Sequence, residues 1–433
     1  MGGWIAHAFI VIDKPGEYTV TTGFANNSLD SNSIVFLINN TENVTLDCNE
    51  MSFTTNTTNS SILVYAYNSS NIVVKNMNAN WSKDTIIFEN VNDSTIENSE
   101  IITEGYSIKL EDSYGATISG NDITVANGEY YGIYIDGNLE NGTIFGNTIN
   151  VTNNNNVCGI YTVSNITNSV ISGNTIKLNS TSYEACGIYA DYTIENSVIS
   201  GNNITACARY WAWGIGAYWG EMLNTTIENN VFDTASKESY TEGIYANLYI
   251  TNSTISGNNI TACGYDEASG IWNDGNIIDS TIENNVFDLY AYNYDEYGTA
   301  SGIYVYYNLT NSVISGNTIT AESNYSNACG IVIDEENILN TIISGNTFIS
   351  ESNNSNAYGI CTYDEDMVDT TIENNVIDLY SENDYTYGIY ACYCMEDCVI
   401  SGNTITANIS HDAYGICTYD EDMVDTTIEI MMQ

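Results

Sequence analysis

Aromatic side chains recur at one position of the sequence, directly after a repeated Gly-Ile pair. This position holds Tyr134, Tyr161, Tyr189, Tyr245, Trp272 and Tyr304. The segment 209–220, RYWAWGIGAYWG, adds Trp211, Trp213 and Trp219. Aromatic faces can stack on sugar rings, on a neighbouring molecule or on one another. The pattern therefore predicts a carbohydrate-binding or self-assembly surface, with packing of the aromatic side chains against each other as a third interpretation.

Acidic side chains form short runs, and one of these runs is repeated. The segment 357–373 reappears unchanged as 413–429. The two copies carry acidic triplets at Asp364, Glu365, Asp366 and at Asp420, Glu421, Asp422. Carboxylate oxygens on stacked loops suit Ca²⁺, a hard cation with flexible coordination, and solvated surface charge is the alternative. The sequence predicts no required cofactor and leaves Ca²⁺ open as a ligand of the triplets.

Two kinds of enzyme that act on polysaccharides can be weighed against these residues. A uronate lyase needs a basic side chain that removes a proton and cationic groups that bind the substrate carboxylate. The chain has only 7 Lys and Arg. A glycoside hydrolase needs two carboxylates about 5 to 9.5 Å apart. The acidic runs offer such pairs at many places, but no single constellation stands out. We predict that the protein is not an enzyme, and we keep polysaccharide degradation as the alternative.

The charge balance excludes one class of partner. The 433 residues include 55 Asp and Glu, which gives a formal net charge of −48. Nucleic acid is not expected as a partner, because phosphate contacts need clustered Lys and Arg. With 43% hydrophobic and 14% charged residues, the chain can bury a core and is not a disordered acidic tail. No apolar run is long enough to predict a membrane span.

Internal repeats at intervals of about 26 to 32 residues predict the fold. Each repeat has an SGN or ENN tripeptide, as at Asn174 and Asn230, between short runs in which β-branched apolar residues alternate with polar ones. Gly or Asn at the second position of the tripeptide indicates a left-handed corner. The following Asn can bond to its copy in the next coil. We predict an all-β, right-handed parallel β-helix of about 13 coils in a single domain, 1–433, with first coils at 1–45 and repeats at 46–433.

Particular motifs carry a family resemblance. VISGNTI and TIENNVF, with GIY one strand earlier, resemble the right-handed parallel β-helix repeats of pectate-lyase-like proteins. The polygalacturonase-type signatures NTD, GHG and RIK are missing. IDKPGEYTVT followed by NVTLDCN resembles the first coils of β-helix surface proteins of methanogenic archaea. The resemblance implies the fold and an extracellular or cell-surface location, but no particular function.

Cysteines and glycosylation signals add two further expectations. The 11 Cys are an odd number, so at least one is unpaired or intermolecular. Cys158 and Cys186 share a position on adjacent coils, close enough for a disulfide, and CYCMEDC at 392–398 is a weak soft-metal signal. N-x-S/T sequons suit a glycosylated exterior protein. They include Asn43, Asn56, Asn80, Asn165, Asn203, Asn224, Asn308 and Asn353.

These observations combine into one functional prediction. The apolar opening 1–12 and the closing 426–433 show no capping pattern, and open coil ends favour head-to-tail association. The predicted protein is an acidic structural rod that associates with itself head-to-tail and laterally into a filament, sheath or surface layer. A carbohydrate-binding adhesin or a polysaccharide-degrading enzyme is the alternative, with glycans as further partners. Because the charge is high, thermal stability is expected to rise with Ca²⁺ or salt.

Overall fold

The computed structural model of the protein describes residues 8–25, 33–55, 61–126, 128, 130–292, 299–409, 411–420 and 422–429. Within these ranges the regular structure consists of parallel β-strands, without a helix. The predicted right-handed parallel β-helix is confirmed, as a solenoid of about 14 turns. The terminal segments 1–7 and 430–433, on which the prediction of open ends partly depends, lie outside the described residues.

The chain divides into two compact units, Met1–Ile204 and Thr205–Gln433. The predicted single domain stays a prediction. In each unit the coils are built from up to four strand positions in chain order, which we call rows 1 to 4. Each strand pairs in parallel with the strand of the same row in the next coil, as Val157–Thr162 pairs with Ala185–Ala190.

The strands of the first unit fall into these rows as follows. Row 1 comprises Ala8–Ile12, Ile34–Asn39, Ile86–Asn92, Ile108–Glu111, Tyr131–Asp136, Val157–Thr162 and Ala185–Ala190. Row 2 comprises Leu139–Glu140, Ile166–Thr167 and Ile194–Glu195. Row 3 comprises Gly16–Thr19, Glu42–Asp47, Thr95–Glu97, Thr117–Ser119, Thr143–Phe145, Val170–Ser172 and Val198–Ser200. Row 4 comprises Phe24–Ala25, Ser52–Thr54, Asn78–Trp81, Glu100–Thr103, Asp122–Ala126, Thr148–Asn153 and Thr175–Ser180. The long strand Ile62–Lys75 contributes to both row 1 and row 3.

The second unit repeats the pattern with all four rows. Row 1 comprises Ala212–Ala217, Tyr240–Ala246, Glu267–Asn273, Thr299–Val305, Asn327–Ile333, Ala357–Thr362, Thr386–Ala391 and Ala413–Thr418. Row 2 comprises Met222–Leu223, Tyr249–Thr251, Asn276–Ile278, Leu309–Thr310, Ile338–Leu339, Met367–Val368, Met395–Glu396 and Met423–Val424. Row 3 comprises Thr226–Glu228, Thr254–Ser256, Thr281–Glu283, Val313–Ser315, Ile342–Ser344, Thr371–Glu373, Val399–Ser401 and Thr427–Glu429. Row 4 comprises Val231–Ser236, Asn259–Gly264, Val286–Ala291, Thr318–Ser323, Thr347–Ser352, Val376–Ser381 and Thr404–Ile409. The strand Asn203–Ala208 contains the division between the units.

The core of each unit lies between the rows and consists of stacked apolar side chains. Ile144 pairs in register with Ile171, and both are fully or almost fully buried. In the second unit Phe232, Phe287 and Phe348 fill the space inside the coils. Burying a side chain of this size contributes about 1.5 to 3 kcal/mol, so the repeated Ile and Phe positions hold the coils together.

The corner before row 4 has the predicted conformation and hydrogen bonds. Gly257 has a φ of 63° and Asn284 a φ of 54°, both in the left-handed region. The next residue forms the predicted Asn ladder: the Asn258 side-chain amide donates to Asn285 Oδ1 at 2.9 Å, and Asn285 donates to Asn317 Oδ1 at 3.0 Å. The same ladder runs from Asn121 through 147 and 174 in the first unit. These bonds fix the register of successive coils.

Candidate functional site

A glycine in row 1 decides which side chains face outward. Gly243 has no room for a side chain, because an added Cβ would lie 2.8 Å from the carbonyl oxygen of Gly270 and against Ile260. The alternation of inward and outward residues shifts by one at this glycine, so that Thr241 and Ile244 are both in the core. Glu242, before the glycine, therefore lies on the same outer face as the aromatic position after the Gly-Ile pair.

This outer face forms a cleft in the second unit, with a volume of about 280 Å³. Six aromatic rings and three carboxyl groups line it. They belong to Trp211, Trp213, Tyr218, Tyr240, Glu242, Tyr245, Glu267, Trp272 and Asp274. Because neighbouring coils supply residues from consecutive strands of row 1, the cleft is built on backbone that is held on both sides by the sheet.

Stacked rings form the walls of the cleft. Trp213 is only 5% exposed and lies between two other rings, with its centroid 6.1 Å from Trp211 and 5.4 Å from Tyr245. Trp272 stacks on Tyr304 with centroids 3.6 Å apart and planes at 7°. Stacks of this kind hold the rings in fixed orientations, so the cleft offers flat apolar surfaces without prior rearrangement.

Glu242 is a buried carboxyl group at the wall of the cleft. It is 5% exposed, and its Oε2 has no hydrogen-bond partner among the described residues. Burial raises the pKa of Glu242 well above its usual range, and the nearby Glu267 and Asp274 raise it further, while the neighbouring Trp213 indole lowers it. Its surroundings therefore favour the protonated form of the Glu242 carboxyl.

Two further carboxyl groups lie in the cleft with different surroundings. Burial, together with repulsion from Asp266, Asp274 and Asp334, raises the pKa of Glu267 to about 8. Asp274 accepts hydrogen bonds from Trp272 Nε1 at 2.7 Å and from the Tyr245 hydroxyl at 2.8 Å. The cleft thus contains two carboxyl groups with raised pKa values beside Asp274, whose side chain is held by two donors.

The predicted aromatic residues do not all lie in this cleft. Trp211, Trp213, Tyr245 and Trp272 line it, and Tyr304 stacks behind Trp272. Trp219 is 59% exposed and touches the edge of the lining residue Tyr218.

The predicted aromatic residues of the first unit form a continuous stack. The centroids of Tyr134 and Tyr161 are 5.7 Å apart, and those of Tyr161 and Tyr189 are 5.6 Å apart. Tyr189 is only 9% exposed. Packing of the rings against each other, the third interpretation of this sequence pattern, describes their surroundings here.

Sequence reasoning missed the acidic residues of the cleft. Glu242 and Asp274 are isolated acidic residues in the sequence and Glu267 follows only Asp266, whereas the acidic triplets form conspicuous runs. A usable signal was the residue directly before the Gly-Ile pair, which reads Trp213, Glu242 and then Ser269 in successive repeats. An isolated Glu at a position otherwise held by aromatic, Cys or Ser residues marks an exception.

The acidic triplets have the following surroundings. Asp364 is exposed, and Asp366 Oδ1 accepts a hydrogen bond from the backbone N–H of Cys394 at 2.7 Å. Asp420 and Asp422 are exposed, and Glu421 lies outside the described residues. Among the residues that the structure describes, no group of three His, Cys, Asp or Glu side chains could hold a metal ion. Ca²⁺ binding stays a prediction.

The sequons and cysteines are placed as follows. Asn43, Asn80, Asn203, Asn224 and Asn353 are exposed, Asn165 and Asn308 are half-buried, and Asn56 lies outside the described residues. Cys158 and Cys186 are cross-strand neighbours in row 1, and no disulfide joins them. Glycosylation stays a prediction.

Residues 12–243 match the model of a family described as periplasmic copper-binding protein (NosD). The chain belongs to this family. The description agrees with the predicted location outside the cytoplasm. Within the described ranges, no helix is long and apolar enough to cross a membrane. The resemblance to surface proteins of methanogenic archaea stays a prediction.

Comparison with solved structures returns phage tailspikes. A mutant tailspike protein of E. coli bacteriophage HK620 in complex with hexasaccharide is 11% identical, with a TM-score of 0.47, over 95% of this chain and 71% of that chain. The HK620 tailspike in complex with pentasaccharide is also 11% identical, with a TM-score of 0.42, over 95% of this chain and 72% of that chain. The Dettilon tailspike is 15% identical, with a TM-score of 0.36, over 78% and 62% of the two chains. No protein among curated sequences matches the chain.

The prediction that this NosD-family protein is not an enzyme is wrong. The tailspike neighbours, which include complexes with oligosaccharides, overturn it. Its physical premise fails as well. The prediction relied on the lack of a single group of carboxyls, and Glu242, Glu267 and Asp274 form such a group in one cleft.

The family description names copper, whose usual protein ligands are imidazole, thiolate and thioether groups. In the described part of 12–243, no three His, Cys, Asp or Glu side chains form a metal-binding group. Cys158 and Cys186 offer only a pair of thiols, and burial raises the pKa of the Cys48 thiol to about 12, which opposes thiolate formation. These residues do not fit a copper centre, and we derive no step through copper.

Proposed function

We propose that this NosD-family β-helix acts outside the cytoplasm as a glycan-binding protein, with the aromatic and acidic cleft of the second unit as its site. One observation carries the proposal. Flat aromatic walls, including Trp213 and Trp272, enclose the buried Glu242 carboxyl, which has no hydrogen-bond partner on one oxygen among the described residues. An apolar cleft with a few convergent polar groups is the usual form of a small-ligand site.

Sugars match both features of the cleft. The C–H face of a pyranose ring packs on Trp and Tyr rings, and its hydroxyl groups donate to carboxyl oxygens. The rings and Asp274 are already held by stacking and hydrogen bonds. Little conformational entropy would be lost on binding, which favours affinity for a weakly hydrophobic ligand.

The test is binding of defined oligosaccharides by isothermal titration calorimetry, with neutral, cationic and anionic members in the panel. We expect at least one member to bind with one site per chain and to quench tryptophan fluorescence. Trp213→Phe, which keeps a ring but removes the indole, should weaken this binding. Tyr249→Ala is the matched control, because Tyr249 is 40% exposed and lies outside the cleft. Absence of binding to the whole panel would contradict the proposal.

Glycoside hydrolysis is a second candidate function, and the high pKa of Glu267 favours it. A general acid must hold its proton near neutral pH, as Glu267 does with a pKa of about 8. In this reaction Glu267 donates its proton to the glycosidic oxygen as the bond to the anomeric carbon breaks. Water attacks that carbon, and its proton passes to the Asp274 carboxylate.

The hydrolysis candidate is tested by measuring new reducing ends after incubation with each glycan that binds. Glu267→Gln should abolish their formation while binding persists. Turnover that is unchanged in this variant would exclude Glu267 as the acid. Self-association into filaments or layers stays a separate prediction, and light scattering on the purified chain at high concentration tests it.

A further inference from the structure

The charges of the cleft lack a counterion from the protein. Glu242, Glu267 and Asp274 line one cavity, and none of them is in an ion pair within the described part of the chain. The net charge of the whole chain is −48, with 7 Lys and Arg in total. A ligand that enters this cleft meets a strongly negative potential.

The Glu242 carboxyl indicates which group of a ligand would sit there. Its Oε2 is buried and has no hydrogen-bond partner among the described residues. A buried polar atom in this state costs free energy that a donor would recover. A donor with a positive charge would also favour the ionised forms of Glu242 and Glu267, whose pKa values are raised by burial and by their acidic neighbours, and a neutral hydroxyl cannot do this.

The aromatic walls favour the same kind of group. A cation is attracted to the faces of Trp and Tyr rings, most strongly to Trp. Trp211, Trp213 and Trp272 all line the cleft. Carboxyl groups and aromatic faces therefore act together on one class of ligand, whereas a uronate or sulfated glycan would be repelled.

We infer that the glycan bound in this cleft carries a cationic ammonium group, as an unacetylated amino sugar does, and that Glu242 binds this group. The inference rests on the proposed glycan-binding function and names the substrate class of the same site. Acetylation of the amine removes the charge and two of its N–H donors. The sugar ring and its hydroxyl groups stay the same, so acetylation isolates the contribution of the ammonium group.

The experiment compares two trisaccharides by calorimetry at pH 6 and physiological ionic strength. One is a β-1,4-linked trimer of glucosamine, and the other is the same trimer with every amine acetylated. The glucosamine trimer should bind at least tenfold more tightly, with one site per chain. Glu242→Gln should remove most of this difference, and Glu267→Gln repeats the test at the second carboxyl. Glu382→Gln, at an exposed position in the turn after row 4, is the matched control and should bind like the original chain.

Each outcome supports or overturns a definite statement. Equal affinity for the two trimers, or tighter binding of the acetylated one, overturns the ammonium inference and leaves the glycan-binding function intact. If the glucosamine trimer binds Glu242→Gln and Glu267→Gln as strongly as it binds the original chain, the binding is surface ion exchange only. This result also overturns the inference. Binding that is limited to neutral glycans also overturns the ammonium inference. A panel without any bound glycan contradicts the proposed function itself.

Discussion

The outer faces of row 1 differ between the two units, although their backbones are alike. In the first unit Cys158 and Cys186 stand before the Gly-Ile pairs, and Tyr161 and Tyr189 stack on each other with planes at 19°. In the second unit Trp213 and Glu242 stand at the equivalent positions, and the rings border a cleft. The residue before the Gly-Ile pair therefore distinguishes the closed stack of the first unit from the open cleft of the second.

The surrounding hydrogen bonds are shared by the two faces. Tyr161 donates to Asp191 Oδ2 at 2.9 Å in the first unit, and Tyr245 donates to Asp274 Oδ2 at 2.8 Å in the second. The scaffold thus positions a tyrosine and an aspartate in both units. The first unit also has a half-buried carboxyl at the position of Glu267, because Glu184 stands three residues before its row 1 glycine and burial raises its pKa. Glu242 is therefore the carboxyl that distinguishes the cleft from the tyrosine stack.

The largest expected effect is the pH dependence of stability that Glu267 contributes. Its pKa rises from an ordinary 4.5 to about 8 in the folded chain. Between these values the folded chain keeps a proton that the unfolded chain has lost, so the free energy of unfolding falls as pH rises from about 4.5 to 8. The loss amounts to roughly 5 kcal/mol. Denaturation of the original chain and of Glu267→Gln at pH 5 and pH 8 measures it.

The Gln variant should lack this part of the pH dependence, while Glu382→Gln should retain it. Parallel stability profiles of the original chain and Glu267→Gln would mean that Glu267 is not held as a protonated acid. Comparing the pH dependence of Glu267→Gln with that of Glu382→Gln separates the contribution of Glu267 from the general effect of the other carboxylates.

The Asn ladder should contribute equally to the two units. Asn285→Ala removes a donor to Asn317 Oδ1 and another to the Ile255 carbonyl at 2.9 Å. Asn174→Ala removes the equivalent bonds to Asn202 and Ile144. Buried groups left without partners make each change cost about 3 kcal/mol. Urea denaturation that shows a large effect for only one of the two variants would contradict a shared scaffold.

The ring walls give a smaller expected effect on binding. Trp213→Ala removes the ring that Trp211 and Tyr245 stack upon. Loss of such an anchor costs about 2 kcal/mol, roughly a thirtyfold loss of affinity for the bound glycan. Tyr161→Ala in the first unit is the matched change and should leave affinity unaltered. If calorimetry shows that Trp213→Ala and Tyr161→Ala lose the same amount of glycan affinity, binding is not confined to the cleft but extends over the aromatic faces of both units.

The smallest expected effect concerns ions in solution. With a net charge of −48, salt should screen repulsion between surface carboxylates and raise the melting temperature by a few degrees. Millimolar Ca²⁺ should act in the same direction if the acidic triplets bind it. Differential scanning calorimetry at low and high NaCl, with and without chelator, measures both. An unchanged melting temperature under all conditions would contradict the prediction.

The scaffold could be predicted from the sequence because each of its requirements leaves a local signature. A left-handed corner needs Gly or Asn, as at Gly257 and Asn284, and the ladder needs an Asn directly after it. A second left-handed corner before row 3 was missed, although Asn252 and Asp279 carry it and a Ser follows each. Its residues vary between Asn and Asp, so the repeat is less conspicuous.

The aromatic walls of the cleft could be predicted, but its acidic side could not, because the position of Glu242 depends on the shift at the row 1 glycine. Simple alternation from Ile244 would place Glu242 in the core, where a carboxyl is not expected. The close approach of Gly243 to the next coil turns Glu242 outward instead. The raised pKa of Glu267 also depends on burial and on acids from other coils, including Asp334, which are distant in the sequence.

A crystal structure of the chain in complex with the glucosamine trimer tests the central claim most directly. The account predicts a sugar ring against Trp213 or Trp272, with its ammonium nitrogen within hydrogen-bond distance of Glu242. A trimer bound on the tyrosine stack of the first unit, on another row, or in the cleft with its amine directed to solvent would contradict the account.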